Sequence, residues 1–435
     1  MGCRSSLSAA LAVVAALTLP AGARADIVAT LPPGSYFTDV SVAATGAVWV
    51  ASSGPTRTRS AIGTVVPGGG VGWTSLPIIA APEGGTSHNA VFARPDGGVW
   101  AFLGGRVAVR STPTGLARTD VFGPGEYESR GFASAFADGG ALVAPGGDRS
   151  FVRVGLDGAR TTVRYTAPGA RGGGGCIIDS FGPAPDGTLV VDDGCDRLLR
   201  LRADGSVVET TPLTGALGDY TSLPRVLTAP AGDEWIANDS TMVHRVGGVV
   251  SRVVLPDFDG FLGPWGMAPD GSVWVAESQG CDLLHITAAG VQRVPTPITA
   301  EALAVAPDGT VWLTSRGQLA HVGPAGESGS CDQRQPRVRL TDVKRGTVSI
   351  AALRRRHGLR VTSSEPGTMI GDVTVAGVEV KPQQAVDRRG TTLRFSPKLL
   401  RRIARSGRIE VRYLQVWDAN GNGGGPQGAY VQVRR

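Results

Sequence analysis

The sequence lacks the short motifs that mark several large enzyme families. It contains no G-x-S-x-G nucleophile elbow, no P-loop, no H-E-x-x-H zinc motif and no dinucleotide-binding fingerprint. Histidine is also scarce, with five in 435 residues, so few side chains are available as a general base near neutral pH. These absences argue against the families that depend on those motifs and leave a binding protein or a less common enzyme.

Long apolar runs are scarce as well. The run at residues 7–19 follows Arg4 and precedes an A-x-A site at residues 23–25. This arrangement is typical of a secretory signal peptide, whereas a membrane anchor needs about 18 or more apolar residues. We therefore expect residues 1–25 to be removed by cleavage after Ala25, the mature protein to be secreted, and any membrane contact to be peripheral at most.

Few cysteines are present, and four remain after the signal peptide: Cys176, Cys195, Cys281 and Cys331. An even number in an exported protein favours disulfides over metal ligation. Cys195 and Cys281 occupy the same position in two of the repeats described below. Cys176 lies just before the first strand of the repeat that contains Cys195. We predict a bridge between Cys176 and Cys195, which leaves Cys281 and Cys331 to pair by elimination.

Glycine and proline are abundant, with 63 and 29 residues, and they recur in turns between short apolar runs. Residues 261–290 show the pattern, with a Pro-Asp-Gly turn ahead of a strand that contains Trp274. The Trp274 position recurs at steps of 38 to 51 residues, at Trp49, Trp100, Leu142, Val190, Trp235, Trp274 and Trp312. Four short strands in each such period are typical of a β-propeller blade. We predict an all-β fold with a seven-bladed β-propeller over residues 26–334.

The last repeat predicts how the ring closes. Its strands fall near 301–306, 310–314 and 318–322, and no clear fourth strand follows. The start of the mature chain, residues 26–32, resembles the fourth strands of other repeats, such as 249–256. We predict that this N-terminal strand completes blade seven, because the open seam between the first and last blades would then disappear.

Residues 335–435 differ from the repeats in charge and period, with 20 Lys and Arg against 7 Asp and Glu. A helix is predicted at residues 396–404, with Ser396 at the N-cap and Pro397 at the first helical position. About 100 residues of strands predict a small immunoglobulin-like β-sandwich. The predicted strands lie at 337–340, 359–363, 373–380, 391–395, 408–416 and 429–433.

Two arginine clusters in this basic module, 354–356 and Arg401, Arg402 and Arg405, suggest nucleic-acid binding. An exported protein rarely meets nucleic acid, and no aromatic residues alternate with these arginines. We favour a solvated basic face that touches anionic envelope polymers. The expected partners are therefore an unknown small ligand or an envelope polymer, with no nucleic acid, and the protein is expected to be a monomer.

Polar residues are predicted to gather at one end of the ring, the predicted rim, where the innermost strand of each blade starts and its second strand ends. Asp39, Asp179, Glu277 and Glu301 are the candidate metal ligands, since carboxylates suit Mg²⁺ or Ca²⁺. The candidate ligand-binding residues are Asn89, Asp193 and Asn238. The alternative is that these side chains cap loop amides.

The histidines fall into two groups. His285 and His321 stand at the third-strand position that Arg153 and Arg200 occupy in other blades, and His244 is counted one place away. These positions predict structural roles. His88 is predicted at the rim and is the candidate general base there, with Glu277 as its catalytic partner.

The repeats resemble the virginiamycin B lyase (streptogramin lyase) family, whose blades contain a GPDGxxWFTE motif. The similar stretches are residues 95–102, 185–193, 269–277 and 307–315, together with the third-strand arginines. The resemblance implies a lyase that opens a cyclic depsipeptide by elimination at an ester, with a His base and a Mg²⁺ held by rim carboxylates. The glutamate of the motif is kept at Glu277, with Asp193 and Asn238 as weaker versions.

Two functions remain from the sequence. The first is a secreted propeller of the cell envelope or exterior that binds a ligand without turnover. The second is a Mg²⁺- or Ca²⁺-dependent carbon–oxygen lyase, or a gluconolactonase-like hydrolase. An enzyme would need His88, Glu277 and Glu301 within reach of one metal and one substrate atom.

Overall fold

A computed structural model describes most of the chain after residue 25. The described residues are 26–32, 35–53, 60–66, 70–76, 90–103, 107–122, 129–135, 138–145, 150–166, 180–193, 197–213, 225–238, 241–255, 262–278, 280–323, 331, 336–375, 377–419 and 423–434. Within these ranges, none of the helices combines the length and the apolar character that crossing a membrane requires.

In the described ranges, seven four-stranded antiparallel sheets follow one another along the chain. Sheet one contains β2 (Tyr36–Val42), β3 (Val48–Ser53), β4 (Ser60–Val65) and β5 (Val71–Ser75), and sheet two contains β6 (Ala90–Ala93), β7 (Val99–Leu103), β8 (Val107–Thr112) and β9 (Gly115–Asp120). Sheet three contains β10 (Ser129–Ala135), β11 (Ala141–Pro145), β12 (Ser150–Val154) and β13 (Arg160–Arg164). Sheet four contains β14 (Ser180–Pro183), β15 (Leu189–Asp192), β16 (Arg197–Leu201) and β17 (Val207–Pro212).

The remaining three sheets complete the series. Sheet five contains β18 (Arg225–Thr228), β19 (Glu234–Ala237), β20 (Met242–Val246) and β21 (Val249–Val253), and sheet six contains β22 (Leu262–Met267), β23 (Val273–Glu277), β24 (Asp282–Thr287) and β25 (Gly290–Pro295). Sheet seven contains β26 (Ala302–Val305), β27 (Val311–Thr314) and β28 (Gln318–Val322), and its fourth strand is β1 (Asp26–Thr30).

A turn with a glycine of positive φ forms the first hairpin of each sheet, and in four sheets this turn is Pro-Asp-Gly. In sheet six the Asp270 carboxylate accepts hydrogen bonds from the Ser272 backbone N–H at 2.9 Å and its hydroxyl at 2.7 Å. Gly271 supplies the left-handed φ of +84° that the last corner requires. The strand that follows is buried on both faces, since Val273, Trp274 and Val275 are almost wholly inaccessible. Turn chemistry and strand composition thus specify the hairpin locally.

Hydrophobic clusters close the sheets into a ring. Each of seven clusters combines buried side chains from two successive sheets, so every sheet packs on both of its neighbours. The cluster between sheets seven and one contains Leu319 and Ala302 on one side and Phe37 and Val40 on the other. The first strands of sheets six, seven and one to five contact one another in that order. The all-β, propeller-like prediction is confirmed.

The N-terminal strand closes the seam as predicted. β1 runs antiparallel to β28, with Asp26 opposite His321 and Thr30 opposite Gln318. Beyond the strand, the Leu31 N–H donates to the Gly317 carbonyl at 2.7 Å. The first and last sheets are therefore joined by a strand from the opposite end of the chain.

The C-terminal residues form two sheets around one hydrophobic core. The smaller sheet has the order β29-β31-β35, and the larger has the order β30-β38-β36-β32-β33, with β34 on β32 and β37 on β36. Their bounds are β29 (Val338–Leu340), β30 (Thr347–Ser349), β31 (Gly358–Ser363), β32 (Gly367–Val375), β33 (Val378–Val380), β34 (Gln383–Val386), β35 (Thr391–Arg394), β36 (Arg408–Trp417), β37 (Gly423–Gly424) and β38 (Gln427–Arg434). The immunoglobulin-like assignment stays a prediction.

In the described part of the C-terminal module, two helices accompany these sheets. α2 (Pro397–Ser406) begins as predicted, since the Ser396 hydroxyl accepts from the Leu399 N–H at 3.2 Å. α1 (Ile350–Arg356) was not predicted, because only seven residues form it. The strand predicted at 373–380 is wrong: it is a hairpin in which Val373 pairs with Val380, and Gly377 turns the chain at a φ of +78°.

Candidate functional site

Asp39 lies on β2 at the predicted rim and bridges two sheets. Its carboxylate accepts from its neighbour's N–H, that of Val40, at 2.9 Å and from the Val91 N–H of sheet two at 2.8 Å. Burial raises the pKa of Asp39 to about 7, although the two backbone hydrogen bonds oppose the rise. Both oxygens therefore accept from backbone amides, one on its own strand and one on sheet two, which is the capping role left open by the sequence.

The raised pKa predicts a pH-dependent stability. Because folded Asp39 keeps its proton up to about pH 7 and the unfolded chain loses it near pH 4, stability should fall as pH rises between these values. We expect Asp39→Asn to remove that decline, so that its melting temperature loses at least roughly 2 to 4 °C less than wild type from pH 4.5 to 7.5. Asp157→Asn, in an exposed turn, is the control. Parallel curves for wild type and Asp39→Asn would contradict the assignment.

Glu277 ends β23 and faces an arginine. Arg293 on β25 lies 3.2 Å from the Glu277 carboxylate and 2.8 Å from that of Asp282. The charge and hydrogen bond of Asp282, with help from Glu277, raise the pKa of Arg293. Glu277 is thus neutralised by a cation two strands away in the same sheet.

Glu301 belongs to the contact between the ring and the C-terminal module. The Arg316 guanidinium donates to Glu301 at 2.9 Å and lies 3.9 Å from the centroid of the Trp417 ring, a cation–π contact. The neighbouring Ser315 hydroxyl donates to the Ala419 carbonyl at 2.6 Å. We call the segment 315–317 with residues 417–419 the junction.

The junction fills part of the predicted rim. A Cβ on Gly317 would lie 2.7 Å from the Cα of Ala419, so glycine is needed for the close approach. Thr30, Leu31 and Trp417 line a cavity of about 320 Å³ beside it. The C-terminal module therefore sits on the rim at sheet seven.

The predicted ligand-binding residues also have partners within the chain. Asp193 is fully buried and pairs with Arg197 at 2.7 Å. The Asn238 side chain accepts from the Thr241 N–H at 2.8 Å and caps the hairpin loop. His88, Asn89 and Asp179, and also Cys176 and Cys195, lie outside the described residues. The predicted bridge Cys281–Cys331 is present.

The described rim carboxylates do not fit a metal centre. In the described ranges, no three His, Cys, Asp or Glu side chains are grouped so that they could hold an ion. Asp39 caps amides, and Glu277 and Glu301 face arginines. The structure therefore does not bring the three described metal candidates together, and the metal site stays a prediction.

The opposite end of the ring, the turn face, contains a recurring cross-strand clamp. His285 stands opposite Trp274 and stacks on it at 3.9 Å, and its Nε2 lies 3.0 Å from the Ser272 hydroxyl. Burial lowers the pKa of His285, with Asp270 acting against it, while the Ser272 hydroxyl lowers the pKa of Asp270. The imidazole of His285 therefore contacts the Asp-Gly-Ser turn of its own sheet.

Arginine takes the same position in other sheets. Arg200 donates to Asp186 in its turn at 2.9 Å, and Arg153 pairs with Asp138. The structural role predicted for His285 therefore has direct parallels. His244 is a correction: it stands opposite Trp235, in the same register as His285, and stacks on it at 3.9 Å. The predicted offset of His244 was wrong because the connection between the second and third strands is shorter in sheet five than in sheet six.

A buried ion network joins sheets four and five at this end. Glu234 is 1% exposed and pairs with both Arg200 and Arg245. Arg245 also pairs with Glu209 of β17. Burial lowers the pKa of Arg200, but the hydrogen bond and charge of Glu234 outweigh it, so the pKa is raised. Sequence reasoning missed this network, whose signal was a charged residue ahead of the Trp235 position.

Described residues of the turn face line two cavities. The first, of about 590 Å³, lies between sheets three and four and is lined by Leu142, Phe151, Leu189 and Leu201, with Arg153 and Arg202 among its polar groups. The second, of about 620 Å³, lies between sheets five and six. Both were missed, because neighbouring sheets are needed to form them.

Solved structures share this architecture. A streptogramin B lyase structure matches with a TM-score of 0.54 at 15% identity, covering 68% of this chain and 96% of that one. Virginiamycin B lyase from Staphylococcus aureus matches with a TM-score of 0.54 at 13% identity, over 68% and 98%. The fold is a β-propeller. At these identities the likeness concerns the fold alone.

A third structure also extends over the C-terminal module. The extracellular domain of a one-component system from B. thetaiotaomicron matches this propeller-containing chain with a TM-score of 0.50 at 11% identity, covering 94% of this chain and 59% of that one. No protein-family model matches the sequence, and no curated protein matches it.

Proposed function

We propose that the protein is an exported β-propeller that binds a small apolar ligand with an anionic group, without turnover, in the cavity between sheets three and four. The observation that carries this proposal is the cavity itself, which has about 590 Å³ and mainly apolar walls. Its volume lies in the range of small-molecule sites, which combine apolar walls with a few polar groups that orient the ligand.

The polar groups of the cavity favour an anion. Arg202 is exposed on the turn between β16 and β17, and Arg153 lies on β12. Asp138 also lines the cavity and is paired with Arg153. Among the described lining residues, Arg202 is therefore the cation available for a carboxylate, sulfate or sulfonate. The apolar part of the ligand would contact Phe151 and Leu201, which are buried in the wall.

Export is supported by independent features. The leader-like residues 1–25 predict secretion. The bridge Cys281–Cys331 fits an oxidising compartment, because disulfides rarely persist in the cytosol. A structural neighbour is itself an extracellular domain. The proposed place of action is the cell envelope or exterior, and the basic C-terminal module would touch anionic envelope polymers there.

Anilinonaphthalene sulfonate is a suitable probe, because it joins an apolar ring system to an anion. We expect saturable binding of one molecule per chain, and we expect Ala203→Trp to weaken it about tenfold or more, because the indole would occupy the cavity mouth. Ala288→Trp, in the corresponding turn of sheet six, is the matched control and should bind like wild type. Fluorescence titration measures both. Equal weakening in the two variants, or none in Ala203→Trp, would refute this site.

The second candidate function is a carbon–oxygen lyase, as in the streptogramin B lyase that the fold resembles. It is favoured by Asp39, a carboxyl at the rim whose pKa is raised to about 7 by burial and which could therefore exchange a proton near neutral pH. Incubation with a streptogramin B cyclic depsipeptide tests it. Ring opening that Asp39→Asn slows would support the lyase over the binding protein.

A Mg²⁺ or Ca²⁺ ion at the rim is a separate proposal. Its remaining support is the set of predicted ligands Asp179, Glu277 and Glu301. Asp179 lies outside the described residues, and Glu277 and Glu301 face arginines. Thermal denaturation with each ion tests it, since a bound ion stabilises the folded state. A rise in melting temperature that Glu277→Gln removes would support the ion, and identical curves would dismiss it.

A further inference from the structure

The cavity between sheets five and six has different chemistry from the one described above. It is lined by Asp233, Trp235 and His244 of sheet five and by the Asp270 turn of sheet six. The turn at residues 287–289 forms its outer wall. Two carboxylates and two aromatic rings thus share one opening of about 620 Å³.

An unpaired donor lies in this cavity wall. Trp235 is 6% exposed, and its Nε1 has no hydrogen-bond partner among the residues that the structure describes. In sheets one and two the equivalent indoles donate to the turn glycine of the next sheet, Trp49 to the Gly97 carbonyl at 3.0 Å and Trp100 to the Gly139 carbonyl at 2.8 Å. Trp235 holds the equivalent position in sheet five, and Gly271 in the turn of sheet six lines the cavity.

His244 adds a second unpaired polar atom. Its ring lies parallel to Trp235 within 14°, and its buried Nε2 forms no hydrogen bond with the described residues, although an Asp233 oxygen lies 3.5 Å away. Buried polar groups are normally paired. The Nε1 of Trp235 and the Nε2 of His244 lie on stacked rings beside one cavity. They therefore indicate that a polar group of a bound ligand forms hydrogen bonds there.

The carboxylates at the opening indicate that the ligand also contains a cation. The Ser272 hydroxyl and N–H lower the pKa of Asp270, so it is ionised at neutral pH. Asp233 is partly exposed and stands on the opposite side, in the turn of sheet five. An acceptor at the indole and a cation between the carboxylates would satisfy both sets of groups.

We propose that this cavity binds a basic peptide segment, with a main-chain carbonyl accepting from the Trp235 indole and an ammonium group held by Asp233 and Asp270. A peptide supplies the carbonyl and the cation a few bonds apart. The proposal is independent of the anion-binding cavity between sheets three and four, and either can fail without the other.

The test uses a trilysine amide as the probe and a triglutamate amide as its counterpart. Indole N–H resonances of the nitrogen-15-labelled mature protein are recorded, and Trp235→Phe assigns the one from Trp235. We expect trilysine amide to move that resonance saturably and triglutamate amide to leave it in place. An unmoved Trp235 resonance at millimolar trilysine amide, or an equal response to both peptides, overturns the proposal.

Matched variants separate the site from general charge. Asp270→Asn should weaken trilysine binding about tenfold, because a charged hydrogen bond is lost. Asp204→Asn should bind like wild type, although Asp204 holds its Ser206 partner at the same distances, 2.9 and 2.7 Å. Trp235→Phe should weaken binding about three- to tenfold, measured by calorimetry. Equal losses in the two Asn variants would mean nonspecific attraction and overturn the site.

Discussion

Removing residues 26–32, which include β1, should lower the melting temperature of the protein by roughly 5 to 10 °C. Val28, Ala29 and Leu31 pack on the cluster that joins sheets seven and one, and partial burial of such side chains is worth about 2 to 4 kcal/mol in total. At about 2 to 4 °C per kcal/mol for a domain of this size class, the loss is easily measured by calorimetry. Deletion also exposes the edge of β28.

Two controls make this result specific. Ile27→Thr changes an exposed side chain on β1 and keeps the strand pairing, so it should melt close to wild type. A synthetic peptide of residues 26–32 should restore the truncated protein in a concentration-dependent way, since it binds the folded state. Equal melting of truncated and intact protein would show that β28 does not need its partner.

Glu234→Gln should cost about 3 to 5 kcal/mol of unfolding free energy. The change keeps the shape of the side chain but removes the buried charge that faces Arg200 and Arg245. These arginines then keep only the more exposed carboxylates of Asp186 and Glu209, and a poorly compensated buried cation is costly. Urea denaturation measures it, with the midpoint moving and the slope unchanged.

Glu209→Gln is the matched control for the ion network. Glu209 contacts the same Arg245, but its side chain is 42% exposed, so we expect a loss of about 1 kcal/mol or less. Glu234→Gln should therefore have the lower unfolding free energy of the two variants. This order should hold at low and at high salt, because a buried ion pair is little screened. Similar losses in both variants would contradict the buried network.

The fold was predictable because its signals are local. The Asp-Gly turn before Trp274, with Ser272 as its partner, specifies a hairpin within a few residues, and repetition specifies the ring. The closing strand followed from the missing fourth strand after β28. The strand 373–380 failed because Gly377 interrupts an apolar alternation that a turn can also contain.

The site was less predictable because its partners come from register and from other sheets. Glu277 pairs with Arg293, which lies two strands further along the same sheet. Glu301 pairs with Arg316, whose guanidinium also contacts the ring of Trp417 in the C-terminal module. Position in a repeat places these carboxylates at one end of the ring, but the neighbouring cations are not repeated. The unpaired Trp235 likewise becomes visible only by comparison with Trp49 and Trp100.

The bridge Cys281–Cys331 has a mechanical consequence. A pull on the C-terminal module would otherwise run along the chain into β28 and peel it from both β27 and β1, which opens the ring at its seam. The bridge joins Cys331, which lies between β28 and the C-terminal module, to Cys281 of sheet six. A force from the module therefore reaches the bridge before it reaches β28. Tension is therefore diverted to a sheet whose four strands are consecutive in the chain, and a protein held to a surface by its basic module can bear load with its seam closed.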